Sequence, residues 1–147
     1  MAEQLTLDEL LEPHDHHGHA ADSTMDHAHM HDDYDSVSFA STRPVDPRAL
    51  VNFLEDPPDG LFRAKGVVCV AVVGERRKFV LHTVGRYIRF ETAAWAKGEP
   101  RETSLVLIGT GLDSVVVTDR LQSTVHESHE LLDSAAMLNL YRYLDAA

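Results

Sequence analysis

The sequence has one cysteine, no long apolar run and no Lys or Arg before residue 36. Cys69, being alone, cannot form an internal disulfide or supply a thiolate metal site by itself. The longest uninterrupted apolar stretch, Val67 to Val73, lies between Gly66 and Gly74. A spanning helix needs ~20 apolar residues, so no membrane partner is expected. The N-terminus lacks a basic region followed by an apolar one, and the expected location is the cytoplasm. The sequence also lacks the Gly-x-x-x-x-Gly-Lys-Ser/Thr pattern of a phosphate-cradling loop and the Gly-x-Ser-x-Gly pattern of a nucleophile elbow. No catalytic machinery is visible, and the chain is read as a non-enzyme. What remains is globular in composition, with 44% hydrophobic and 25% charged residues in 147, enough for one packed domain.

The net charge of -11 is unevenly distributed. Ten of the 24 acidic residues lie at or before Asp35, which leaves 14 against 13 basic residues in the rest of the chain. The chain therefore joins an acidic arm to a nearly neutral body. Nucleic-acid binding requires clustered positive charge, and the only basic cluster is Arg76-Arg77-Lys78 at an expected turn. Nucleic acid is not expected as a partner.

Three segments are expected. In residues 1–12, Thr6 to Glu9 form a capping box with Leu7, Leu10 and Leu11 at helical spacing behind it, and Pro13 closes this short amphipathic helix. Residues 13–35 are dominated by His, Asp and small residues, a composition too polar to form a core, and are read as a disordered linker. Residues 36–147 carry the elements of a domain. Ser36 to Ala40 alternates as a half-buried strand, and Asp46 with Pro47 opens a helix whose stripe is Leu50, Phe53 and Leu54. Leu61 to Val73 reads as one Val-rich strand buried on both faces. Phe79 to Val84 and Tyr87 to Glu91 continue an antiparallel meander, and Ser104 to Ile108 adds a strand. After Asp113 a helix is expected despite the β-branched run Val115 to Thr118, and a final helix follows Asp133 or Ser134 with Met137, Leu140, Tyr141 and Leu144 at helical spacing. The fold class is α+β, a mainly antiparallel sheet of about five strands with helices packed on one face.

The residues with the most chemistry are in the arm. His14, His16, His17, His19, His27, His29 and His31 are interleaved with Asp15, Asp26 and Asp32. Imidazole and carboxylate together suit Zn, and also Co or Ni, so this tract is the candidate metal site. His126 and His129 are spaced three apart, one short of the zinc-peptidase pattern, and read as part of a surface loop or helix end. Gly109-Thr110-Gly111-Leu112-Asp113-Ser114 has Ser114 where a dinucleotide fingerprint has its third glycine, so it reads as a capped strand-to-helix turn. In the strand from Leu61, Arg63 and Lys65 fall on one face by period-two geometry. His82, alone in its strand, reads as a hydrogen-bonded structural residue.

From Tyr34 to Val125 the sequence resembles the C-terminal domain of CobW-like GTPases, a metallochaperone family linked to zinc homeostasis and cobalamin synthesis. The resemblance rests on Arg43-Pro44-Val45-Asp46-Pro47-Arg48, Gly60-Leu61-Phe62-Arg63-Ala64-Lys65-Gly66, Val80-Leu81-His82-Thr83-Val84-Gly85, Tyr87-Ile88-Arg89-Phe90 and Leu105-Val106-Leu107-Ile108-Gly109. It implies that residues 13–35 correspond to the His/Asp-rich linker that commonly precedes this domain, and that Thr6 to Leu11 correspond to the last helix of the GTPase domain. The family's P-loop and Cys-x-Cys-Cys motif are absent, so GTPase activity is not carried over. The resemblance implies an accessory metal-binding domain that docks a CobW-like P-loop GTPase domain or a metalloprotein client, with Arg63, Lys65 and His82 as docking candidates. Two alternatives stand beside it: an in-trans contribution to GTP hydrolysis through those same residues, and a plain interaction module with an inert linker.

Overall fold

The structure, a computed structural model, describes residues 34–145. The expected N-terminal helix and nearly all of the His/Asp tract lie outside the described residues. Strand β1 (Asp35–Ser41) turns Val37 and Phe39 inward by strict alternation. Helix α1 (Pro47–Glu55) begins where the Asp46 side chain accepts the Arg48 amide at 2.9 Å, and it buries Leu50, Val51, Phe53 and Leu54. Strands β2 (Leu61–Val68), β3 (Lys78–Val84) and β4 (Tyr87–Ala93) form the meander, and β5 (Thr103–Gly109) inserts between β1 and β2. The sheet order is β1-β5-β2-β3-β4, and every neighbouring pair is antiparallel.

Helix α2 (Ser114–Gln122) forms in spite of its three valines. The Asp113 carboxylate accepts the amides of Val115 and Val116, while Val117 and Leu121, four residues apart, bury completely. Capping and one buried stripe outweigh a β-branched penalty of a few tenths of a kcal/mol per residue. A single core cluster joins the inward residues of all five strands to α1, α2 and the C-terminal segment, so the helices cover one face of the sheet.

Two expectations are corrected. The strand from Leu61 does not reach Val73: it leaves the sheet after Val68. There the Cys69 amide donates to Thr103 Oγ1 at 3.0 Å instead of a ladder carbonyl, because β5 begins at Thr103. Beyond it Val70 bridges to Val45 and Val72 to Leu132, so that Val70, Ala71 and Val72 are buried while Val73 is exposed. Within β2 itself burial alternates, with Ala64, Gly66 and Val68 inward and Arg63, Lys65 and Val67 outward, so only one face is covered. The last helix is also shorter than its periodicity indicates. A 3-10 turn (Ser134–Met137), capped by Asp133, passes into the single α-turn α3 (Leu138–Tyr141). The chain then extends so that Leu144 bridges to Phe90 in β4, a pairing that competes with further helix.

Gly66 shows how close the central strands run. A Cβ at this position would lie 2.1 Å from the Ser104 carbonyl oxygen and 2.8 Å from the Leu105 Cα. Gly66→Ala should therefore push β2 from β5 and cost more than about 1 kcal/mol. Thermal unfolding followed by circular dichroism reads this as a lowered midpoint, and an unchanged midpoint would contradict the close approach.

Candidate functional site

The face of the sheet opposite the helices has no covering element among the described residues. Register places its side chains in three rows that cross the strands. The first runs Ser38, Val106, Lys65, His82, Arg89, and the second Ser36, Ile108, Arg63, Val84, Tyr87. The third runs Ala40, Ser104, Val67, Val80, Glu91. Val106 and Ile108 form their own small buried pair, only 7% and 4% exposed, although no helix lies over them. Lys65 stands directly opposite Val106 and Arg63 opposite Ile108, the separation at which a long aliphatic stem covers an apolar neighbour while its charge stays in water.

The charges on this face are not balanced. Arg89 pairs with Glu91, its neighbour two residues along β4, and with Asp145 at 3.3 Å. Arg63 and Lys65 have no ion pair among the described residues. His82 stands between Lys65 and Arg89. Partial burial pulls its pKa below the ordinary histidine value, and Arg89, Lys65 and Arg63 push the same way against the opposing Glu91. With Lys65 and Arg89 beside it, this imidazole is poorly placed to hold a cation.

Arg63, Lys65 and His82 thus lie together, and two further members of the patch were not singled out from sequence. Arg89 and Tyr87 are brought into it by the tight Gly85-Arg86 turn, which pairs Val84 with Tyr87 and so His82 with Arg89. Counting outward from that turn in steps of two was the available signal.

The remaining candidates are dispersed. His126 and His129 lie in a loop, as expected, where the His126 Nε2 approaches the Glu130 carbonyl oxygen at 2.7 Å. The glycine-containing turn before α2 is the expected capped turn, with Asp113 as its cap. Burial pushes the Cys69 thiol up, against the lowering by Arg101. A groove between α1 and α2 holds Arg120 over the Phe53 ring at 5.0 Å, with its guanidinium donating to the Asp56 carbonyl oxygen at 2.6 Å. No group of three His, Cys, Asp or Glu side chains converges among the described residues. The ten metal candidates, His14, Asp15, His16, His17, His19, Asp26, His27, His29, His31 and Asp32, all lie outside the described residues.

The depressed His82 pKa has a sign in stability. The unfolded chain takes up a proton at the ordinary value of 6.5, the folded chain only at a lower pH, so folding loses stability as pH falls through that window. His82→Gln should flatten this part of the pH profile between pH 7 and about 5, measured as denaturation midpoints across the range. An unchanged slope would show that His82 is not the group responsible.

The sequence profile of the cobalamin synthesis protein cobW C-terminal domain matches residues 34–125. No curated protein sequence matches the chain. Among solved structures, the Zn(II)-bound YjiA GTPase from E. coli is similar with a TM-score of 0.54 at 22% identity, over 67% of this chain and 32% of that one. A Zn(II)-bound triple mutant of the YjiA GTPase gives 0.54 and 22% over 64% and 30%. At this identity the likeness establishes a shared fold, and the chain spans about a third of the length of these structures. The profile covers well over half of the sequence, including β1 to β5 and both long helices. This chain belongs to the cobW C-terminal domain family.

Proposed function

We propose that this chain is a non-enzymatic accessory domain of a CobW-like metallochaperone system. Its His/Asp tract captures Zn, or Co or Ni, and its open sheet face docks a P-loop GTPase domain or a metalloprotein client in the cytoplasm. The observation that carries the docking half is the pair Arg63 and Lys65, without carboxylate partners among the described residues, on a partly apolar face inside the span that matches the family. The metal half is supported by seven histidines within residues 14–31 and by similar solved structures that are Zn(II)-bound. Here the metal is cargo. Neutral imidazoles and carboxylates bind it, and because several equivalent ligands lie side by side, it can pass to a partner by stepwise ligand replacement. The in-trans catalytic reading is less well supported, since cations on an open sheet face remain in water, where charge stabilisation is weak.

Two measurements test this. Zinc binding followed by calorimetry should be multi-site at pH 7.5 and much weaker at pH 5.5, where protons compete for the ring nitrogens around pH 6.5. Deleting residues 13–34 should abolish binding and leave the melting temperature nearly unchanged. Equal affinity at both pH values would remove the imidazole assignment. For the face, the double variant Arg63→Glu with Lys65→Glu should keep its circular-dichroism spectrum and lose most of its binding to the cognate GTPase domain in a pull-down. Normal binding by that variant would place docking elsewhere.

A further inference from the structure

The open face combines exposed apolar side chains with positive charge that has no ion pair among the described residues, and the same chain carries a segment of the opposite character. Val84 is 47% and Tyr87 63% exposed, and they share a row with Ile108 and Arg63, next to Lys65 and His82. Residues 5–12 read Leu-Thr-Leu-Asp-Glu-Leu-Leu-Glu: four leucines, three carboxylates and no base. Leu7, Leu10 and Leu11 recur at the i, i+3, i+4 spacing that would place them on one side of a helix. This segment therefore offers apolar and acidic groups to a surface that presents apolar and basic ones.

The tether permits the encounter. Residues 13–34 connect this segment to β1, an edge strand of the same sheet. A random-coil chain of that length would have a root-mean-square reach of about 25 Å, whereas β1 and β4 are separated by roughly 19 Å at ~4.8 Å per strand. At such a span the effective concentration of a tethered segment is on the order of millimolar, so even a weak contact is populated.

We infer that residues 5–12 dock in cis on the open sheet face, with the leucines against Ile108, Val84 and Tyr87 and with Asp8, Glu9 and Glu12 toward Arg63 and Lys65. This inference goes beyond the metal and partner reading and does not depend on it. It is tested on the full chain with EDTA present and no partner added.

The experiment compares backbone amide resonances of the wild type with those of the triple variant Leu7→Ser, Leu10→Ser, Leu11→Ser, whose substitutions lie outside the described residues. Shifts are expected at Arg63, Lys65, His82, Val84 and Tyr87, with Leu50 on the buried side of α1 and Val117 and Leu121 on that of α2 unmoved. Raised salt should move the wild-type signals the same way. Reversing charge on both sides, Asp8→Lys, Glu9→Lys and Glu12→Lys together with Arg63→Glu and Lys65→Glu, should restore the covered pattern that either set alone abolishes. Coincident spectra on the open face would overturn the inference. So would shifts confined to the helix side, or shifts that vanish on dilution, which would mean that a second copy supplies the segment. A failure here leaves zinc capture untouched, and a failure of zinc capture leaves this contact untouched.

Discussion

The ladder between β2 and β5 is the constraint on which the rest of this domain depends. These strands are distant in sequence, yet they are the centre of the sheet, with β1 beside β5 and β3 beside β2. Their close approach requires Gly66 opposite Leu105 and leaves no room for a Cβ. A similar approach occurs at the other end, where a Cβ on Gly109 would lie 2.0 Å from the Gly60 carbonyl oxygen. The same ladder sets Lys65 opposite Val106 and Arg63 opposite Ile108, so the register that builds the core also builds the charged patch.

Bringing β5 back to the centre requires a long crossover from β4, which lies at the edge. That crossover is pinned by polar chemistry as well as by packing. Lys78 at the start of β3 donates to both Glu99 oxygens, at 3.1 and 2.8 Å, and lies 5.6 Å from the Trp95 ring centroid. Glu99 also accepts the Ala96 amide at 2.7 Å. Burial would raise the Glu99 pKa, but these donors outweigh it and hold the carboxyl below its ordinary range. The Lys78 charge is thus satisfied inside the fold, which separates it in kind from Arg63 and Lys65.

The two faces of the sheet follow from one asymmetry. On the inner face, Phe79, Leu81, Phe90, Leu105 and Leu107 are closed over by α1, α2 and the segment beyond Val125, which contributes Ala136, Met137 and Leu140. That segment lies beyond the stretch matched by the family profile, yet it supplies fully buried side chains and pairs through Leu144 with the outer edge of β4. The outer face has no such cover among the described residues, and it mixes Val and Ile with side chains that tolerate water at one end, Arg, Lys, His and Tyr.

The sequence by itself determined the local elements. Period-two alternation located β1, the Asp46-Pro47 and Asp113 caps located both long helices, and the turns around Gly74 and Gly85-Arg86 located β3 and β4 as a meander. These signals are legible because each depends on residues within a few positions of one another. The side of β2 on which Arg63 and Lys65 lie was legible for the same reason. Only the tertiary structure decided where β2 ends, since Val70 to Val72 are as apolar and β-branched as the strand before them and stop pairing because β5 starts at Thr103. It also reduced the last helix to a single turn, because extended pairing of Leu144 with Phe90 replaced a helical stripe of ordinary quality. The assembly of Arg63, Lys65, His82 and Arg89 into one surface depended likewise on strand order. Alternation gives each strand its two faces, but which strands become neighbours is settled by contacts between residues far apart in the chain, and no local pattern records them.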